Sequence, residues 1–312
     1  MKNNNSLISW IILASLVLVW GSSFILIKKS LMYFSATEVG ILRVTVTFIF
    51  LLPIAILKLS KINSKYRNYL IISGVVGSFI PAFMFAIAQT GINSSLAGIL
   101  NSLTPLFTLF LGLAFFKLKS AWYNILGVFI GLVGATGLIY ATSGEMGFVF
   151  NIKYASLIII ATICYAFNVN FIKIYLKELD SLTITAFTFF YIGIPSLAYV
   201  LIFSDIPNKL LHETDALTGL GYISILSVVG TGIALIIFNK LIKISSPVFA
   251  SSVTYLIPVV AIAWGIIDGE IFKISYIIWF ALILTGVLLV NTTPLKAINI
   301  AAKLLFKRKK KN

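Results

Sequence analysis

The chain alternates long apolar runs with short polar stretches. The runs cover residues 7–27, 35–57, 69–90, 96–116 and 122–140, then 154–172, 182–203, 219–239, 248–267 and 274–290. Each is long enough to cross a hydrocarbon layer, which takes about 20 helical residues. Backbone amides inside lipid must be satisfied within their own segment, so every run is predicted to be a helix. The predicted fold class is therefore all-α integral membrane, with ten transmembrane helices. The first run follows Lys2, as a secretory signal would. It exceeds a signal core of about 7 to 15 residues and nine more runs follow, so it reads as a retained span.

The two halves of this pattern match each other. Placing Pro105 on Pro258 puts Gly77 on Gly230, Ser78 on Thr231, Phe85 on Phe238, Ala97 on Ala250 and Gly112 on Gly265, all at an offset of 153. In the first helix of each half, Trp20 falls on Tyr165 and Lys28 on Lys173, at an offset of 145. The expected domains are two five-helix repeats, residues 1–142 and 143–295, followed by a basic tail, 296–312. A unit with an odd number of spans inserts its second copy upside down, which predicts two inverted repeats with a site near the midplane between them.

Composition agrees with the pattern. The chain has 312 residues, 60% hydrophobic and 11% charged, with a mean hydropathy of +1.06. A soluble domain has nowhere to hide that much apolar surface. The net charge of +15 would suit nucleic acid, but its basic residues lie between apolar runs and in Lys307-Arg308-Lys309-Lys310-Lys311. That distribution is a topology signal, and no nucleic-acid partner is expected. Alternate connections hold 18 and 5 basic residues, with Arg43 left inside a span. Both termini are thus expected on the cytoplasmic side of a bacterial inner membrane. The single Cys164 forms no disulfide framework.

Trp20-Gly21-Ser22-Ser23-Phe24, Arg43, Ser95-Leu96-Ala97-Gly98-Ile99-Leu100 with Leu103-Thr104-Pro105-Leu106, Ala250 with Leu256-Ile257-Pro258, and Gly269-Glu270 with Gly286-Val287 resemble one family. It is the drug/metabolite transporter superfamily, in particular its EamA-type ten-helix permeases. One departure stands out: Phe116-Lys117-Leu118 occupies the place where that family usually carries an acid matching Glu270. The resemblance implies export or uptake of amino acids, related metabolites or drugs.

Several residues carry candidate chemistry, each with a plainer reading beside it. Arg43 sits inside a span, where a charge costs about 2.5 to 3.5 kcal/mol. It either faces a cavity and meets a substrate carboxylate or snorkels to the interface; Glu38, five positions earlier, is a poor partner for it. Asn101 and Thr104 precede Pro105, and Ser251, Thr254 and Tyr255 precede Pro258. These polar groups either line a cavity beside two gating kinks or re-satisfy the carbonyls that proline frees. Trp20, Tyr165 and Asn168 either share the inner faces of the first helices of the two halves, where a ligand would stack and hydrogen-bond, or include two aromatics that merely anchor the helices at the interface, although both fall several residues inside their spans. Gly127, Gly131 and Gly134 form a packing face that serves either the repeats or a homodimer. His212 reads as a solvated loop residue.

No catalytic residue, metal site or cofactor motif is expected. The expected function is a secondary transporter exporting a small polar metabolite, such as an amino acid, by alternating access. Its partners are that small-molecule substrate and membrane lipid. Spans without a buried acid or histidine, apart from Glu38 near an end, argue against a proton relay and for facilitated diffusion or exchange. The alternatives are drug or toxin efflux, and a multispan enzyme acting on lipid, which would need a reactive cluster that the sequence does not display.

Overall fold

The structure, a computed structural model, describes residues 2–59, 62–116, 122–142, 148–245, 247–270 and 274–290. Lys117, Lys273 and the basic tail lie outside them. The described residues are helical and include no strand. Among the described residues, eight stretches are long and apolar enough to cross a membrane. The first repeat opens with α1 (Lys2–Ser30) and α2 (Ala36–Lys58). Its third span joins α3 (Arg67–Gly74) to α4 (Ile80–Ala88) through a π-helical turn, Val75–Phe79, and its fourth is made of α5 (Ser94–Asn101) and α6 (Thr104–Phe115). The second repeat answers with α8 (Phe148–Tyr175) and α9 (Ser181–Phe203), then α11 (Thr214–Ser227) and α12 (Ala234–Ile244) around a second π turn, Val228–Ile233. Next come α13 (Pro247–Ser251) and α14 (Ile257–Ile267). Where the fifth and tenth spans were expected stand α7 (Trp122–Thr142) and α15 (Ser275–Val290), the latter with only 16 residues.

Local sequence explains the interruptions. A helix running past Pro105 or Pro258 would lose a hydrogen bond and clash with the preceding turn. The sequence suggested a bend; the structure has a break, with each proline opening a new helix at its first turn, where a missing N–H costs nothing. Residues 102–103 and the 3₁₀ turn Ser252–Tyr255 fill the two gaps. Caps set other starts: Ser35 and Glu38 form a reciprocal capping box on α2, and Asp180 accepts from the Thr183 N–H at the start of α9. An unforeseen short helix, α10 (Ile206–His212), follows α9. It occupies the insertion that shifts the repeat offset from 145 to 153.

The repeats are intertwined. Helix α1 packs on α11, α12 and α14 of the second repeat, while α8 packs on α4 and α6 of the first. The equivalent helices α2 and α9, each of 23 residues, lie side by side and run in opposite directions. Lys58, ending α2, reaches Asp180 at 3.1 Å; Lys209, beyond the end of α9, reaches Glu38 in the first turn of α2 at 2.9 Å. Helices α7 and α15 also pack antiparallel: Gly134 lies against Ile283 and Gly137 against Trp279, while Gly286 meets Gly127 and Gly131 backbone to backbone. The glycine face of α7 is therefore occupied within the chain.

Candidate functional site

The interrupted helices enclose a cavity midway along the bundle. It offers about 100 Å³ to the centres of water-sized molecules, several times the roughly 10–15 Å³ that one water needs. Its lining repeats at the two sequence offsets. Trp20 and Tyr165, and Ser23 and Asn168, come from α1 and α8. Gly77 and Gly230, and Ser78 and Thr231, come from the two π turns, and Phe85 and Phe238 from α4 and α12. Asn101 and Thr254 stand just ahead of the proline breaks.

The aromatic walls obey the same rule. Trp20 meets Phe238 edge-on with ring centroids 4.8 Å apart, and its equivalent Tyr165 stacks on Phe85 at 5.9 Å. Each such pair is worth about 0.5–1.5 kcal/mol beyond its buried area. The indole N–H of Trp20 donates to the Gly230 carbonyl at 2.9 Å, within the second π turn. On the opposite side Asn168 lies so close over Gly77 that a Cβ there would stand 1.9 Å from the amide nitrogen. Only glycine permits that approach.

Arg43 projects from α2 onto the second π turn. Its Nε donates to Thr231 Oγ1 at 3.0 Å, and Thr231 donates in turn to the Leu226 carbonyl, also at 3.0 Å. The Tyr165 hydroxyl also interacts electrostatically with the guanidinium across the same cavity. Among the described residues no carboxylate pairs with Arg43; Glu38 is taken by Lys209 and Ser35. The charge is half-buried, and it lines the cavity.

Trp20, Arg43, Asn101, Thr104, Tyr165, Asn168 and Thr254 are thus brought around one hollow. Tyr255 is not; it is buried in the packed core instead. The hydroxyls of Thr104 and Thr254 donate to the carbonyls of Asn101 and Ser251 at 2.7 and 2.9 Å. That is the structural task the sequence had offered as the plainer reading, and both side chains still line the cavity. Ser23, Ser78, Thr231 and Asn239 also line it. Sequence reasoning had paired Ser78 with Thr231 across the repeats and placed Ser23 in a motif, but had named none of the four as a site residue. The side-chain oxygens of Asn168 and Asn239 have no hydrogen-bond partner, at a cost of about 1–3 kcal/mol each if left so.

Ion pairs close the bundle beyond the cavity. Lys28 reaches Asp268 at 2.8 Å and Glu270 at 3.0 Å, and Lys29 also pairs with Asp268. Glu270 accepts from both the N–H and the hydroxyl of Ser94 and of Ser95, over 2.6 to 3.1 Å. Burial pushes the Glu270 carboxyl up, but the hydrogen bonds from Ser94, Ser95 and Lys28 outweigh it and hold the group below its ordinary range. At the other end Lys173, the equivalent of Lys28, donates to the carbonyls of Ile242, Lys243 and Ser245 around the end of α12.

Known proteins share this plan. A crystal structure of a protein 15% identical in sequence superimposes with a TM-score of 0.65, over 91% of this chain and 96% of that one; at that identity the likeness concerns fold alone. An uncharacterized transporter of Archaeoglobus fulgidus is 23% identical over 282 residues, covering 90% of this chain and 98% of its own length. The EamA-like transporter family matches twice, at residues 6–140 and 152–292, so each half carries one copy of the family's unit. Multiple apolar spans, a repeated architecture and this double match agree: the chain is a multi-pass membrane protein and a member of the EamA-like transporter family.

Proposed function

We propose that the protein is a secondary transporter that exports a small anionic metabolite, such as an amino acid or a related carboxylate, across a bacterial inner membrane. In this reading ten spans form two inverted repeats, both termini are cytoplasmic, and the central cavity opens to each side in turn. The observation that carries it is Arg43: a guanidinium on the wall of the central cavity, held by Thr231, with no protein carboxylate paired to it among the described residues. A charge kept at that depth is stabilised best by a counter-charge that arrives with the substrate. The antiparallel packing of α2 with α9 and of α7 with α15 supports the inverted arrangement. Pro105 and Pro258, each beside a break, serve as the hinges of the two gates. Cavity-facing carboxylates and histidines are missing among the described lining residues, which favours facilitated diffusion or exchange over proton coupling.

Counterflow of labelled amino acids into proteoliposomes tests this. Exchange should persist when the proton gradient is collapsed. Arg43→Gln should slow it by roughly tenfold or more, the value of a charge-assisted bond. Undiminished exchange by that variant would contradict the assignment.

A further inference from the structure

The two-fold character of the cavity isolates the residues that break it. Every lining residue has its repeat counterpart in the lining except Arg43 and Asn239. Their counterparts, Thr188 and Ala86, are buried outside it. A ligand in a symmetric hollow has two equivalent orientations. Arg43 and Asn239 depart furthest from that symmetry, because neither has any counterpart on the wall, whereas the paired positions differ only in side chain, as Thr104 does from Ile257.

Asn239 is 4% exposed. Its Nδ2 donates to Thr185 Oγ1 at 3.0 Å, while the Thr185 proton goes to the Ser181 carbonyl at 2.9 Å. Thr185 therefore has only an acceptor to offer, so the amide nitrogen must face it and the orientation of the amide is fixed. The Oδ1 of this cavity-lining residue is left buried and without a donor. Asn168 has an orphan oxygen too, but among the described residues no hydrogen bond fixes its amide as Thr185 fixes that of Asn239. A buried acceptor held in place and unpaired is completed by an N–H or O–H from outside the protein.

We propose that Asn239 is a specificity-determining residue, and that the substrates are small anions carrying a separate hydrogen-bond donor, held with the anion at Arg43 and the donor at Asn239. This rests on the anion-binding reading of Arg43. One carbon skeleton tests the two poles separately: leucine, leucic acid with a hydroxyl in place of the amine, isocaproic acid with neither, and leucinamide without the carboxylate.

Equilibrium binding of these probes to the purified full-length protein in nanodiscs is the measurement. The wild type should favour leucine and leucic acid over isocaproic acid by roughly tenfold, the order expected when an amide oxygen is left unpaired. Asn239→Leu should reduce that preference to about twofold or less and leave the affinity for isocaproic acid unchanged. A preference that survives the substitution overturns the assignment. So does a wild type with no donor preference, in which case the orphan oxygen holds only water. Should Asn239→Leu fail to fold, Thr185→Val keeps the amide but frees it to turn, and an unchanged preference there overturns the assignment equally. Arg43→Gln separates the two readings: it should abolish the preference for leucine over leucinamide while the preference for leucic acid over isocaproic acid persists. If Arg43→Gln changes nothing, the anion reading fails whatever Asn239 does. A folded wild type that binds none of the four overturns the substrate class.

Discussion

At the scale of single residues, the orientation of Arg43 depends on a hydroxyl from the other repeat. Thr231 accepts from Nε, and its own hydroxyl is anchored to the Leu226 carbonyl five residues back. With Nε engaged, the terminal nitrogens are left for a ligand, and an anion is then met in one geometry. Thr231→Val keeps the shape and removes the acceptor. It is expected to weaken binding of leucine by roughly five- to tenfold, with the maximal exchange rate little altered and Thr231→Ser close to the wild type. Concentration series of counterflow would read this, and a fall in maximal rate at unchanged half-saturation would count against a positioning role.

At the scale of elements, the helix starts show how charge and capping combine. Burial pushes the Asp180 carboxyl up, yet the hydroxyl and N–H of Thr183 and the ammonium of Lys58 outweigh it and hold the group at about 2. An unfolded aspartate titrates at about 3.9. Because the folded value is the lower one, the stabilising contribution is complete above about pH 4 and is lost as the pH falls through about 2. Asp180→Asn should therefore lower the thermal midpoint in detergent at neutral pH, with the gap to the wild type closing as the pH drops from about 4 to about 2. A gap that stays constant over that window would show the carboxylate to be uninvolved. The π turns belong to this scale as well. Their shifted bonding brings Gly77 and Gly230 to the cavity wall, where one lies under Asn168 and the other gives its carbonyl to Trp20.

At the scale of the molecule, the two ends of the bundle are closed by different chemistry. Lys28 and Lys29 join the end of α1 to Asp268 and Glu270, and Glu270 binds the first turn of α5. Among the described residues the equivalent Lys173 binds carbonyls around the end of α12 and no carboxylate. A two-state transporter whose two closures differ responds unequally when one is weakened. Glu270→Ala should open the Lys28 end. In a Cys164→Ser background, a cysteine at Asn101 should react with an external membrane-impermeant maleimide several-fold faster in that variant, whereas a Lys173→Ala variant should leave the external rate unchanged or lower it. Equal external rates in all three would mean that the Glu270 cluster is scaffolding and no latch.

The sequence by itself determined the membrane class, the repeat and the approximate position of the long apolar spans, because a long apolar run has one stable backbone solution in lipid and because matching residues at fixed offsets are visible without coordinates. Trp20 with Tyr165 and Pro105 with Pro258 are legible in that way. Tertiary structure alone decided which polar atoms are spent and which remain free. Thr104 and Thr254 use their protons on nearby carbonyls, Tyr255 turns into the core, and Asn239, which no motif marks, keeps an oxygen without a partner. Hydrogen bonds such as that from Arg43 to Thr231 span 188 residues of chain. Which distant groups meet is set by the packing of whole helices, and no local pattern of residues encodes it.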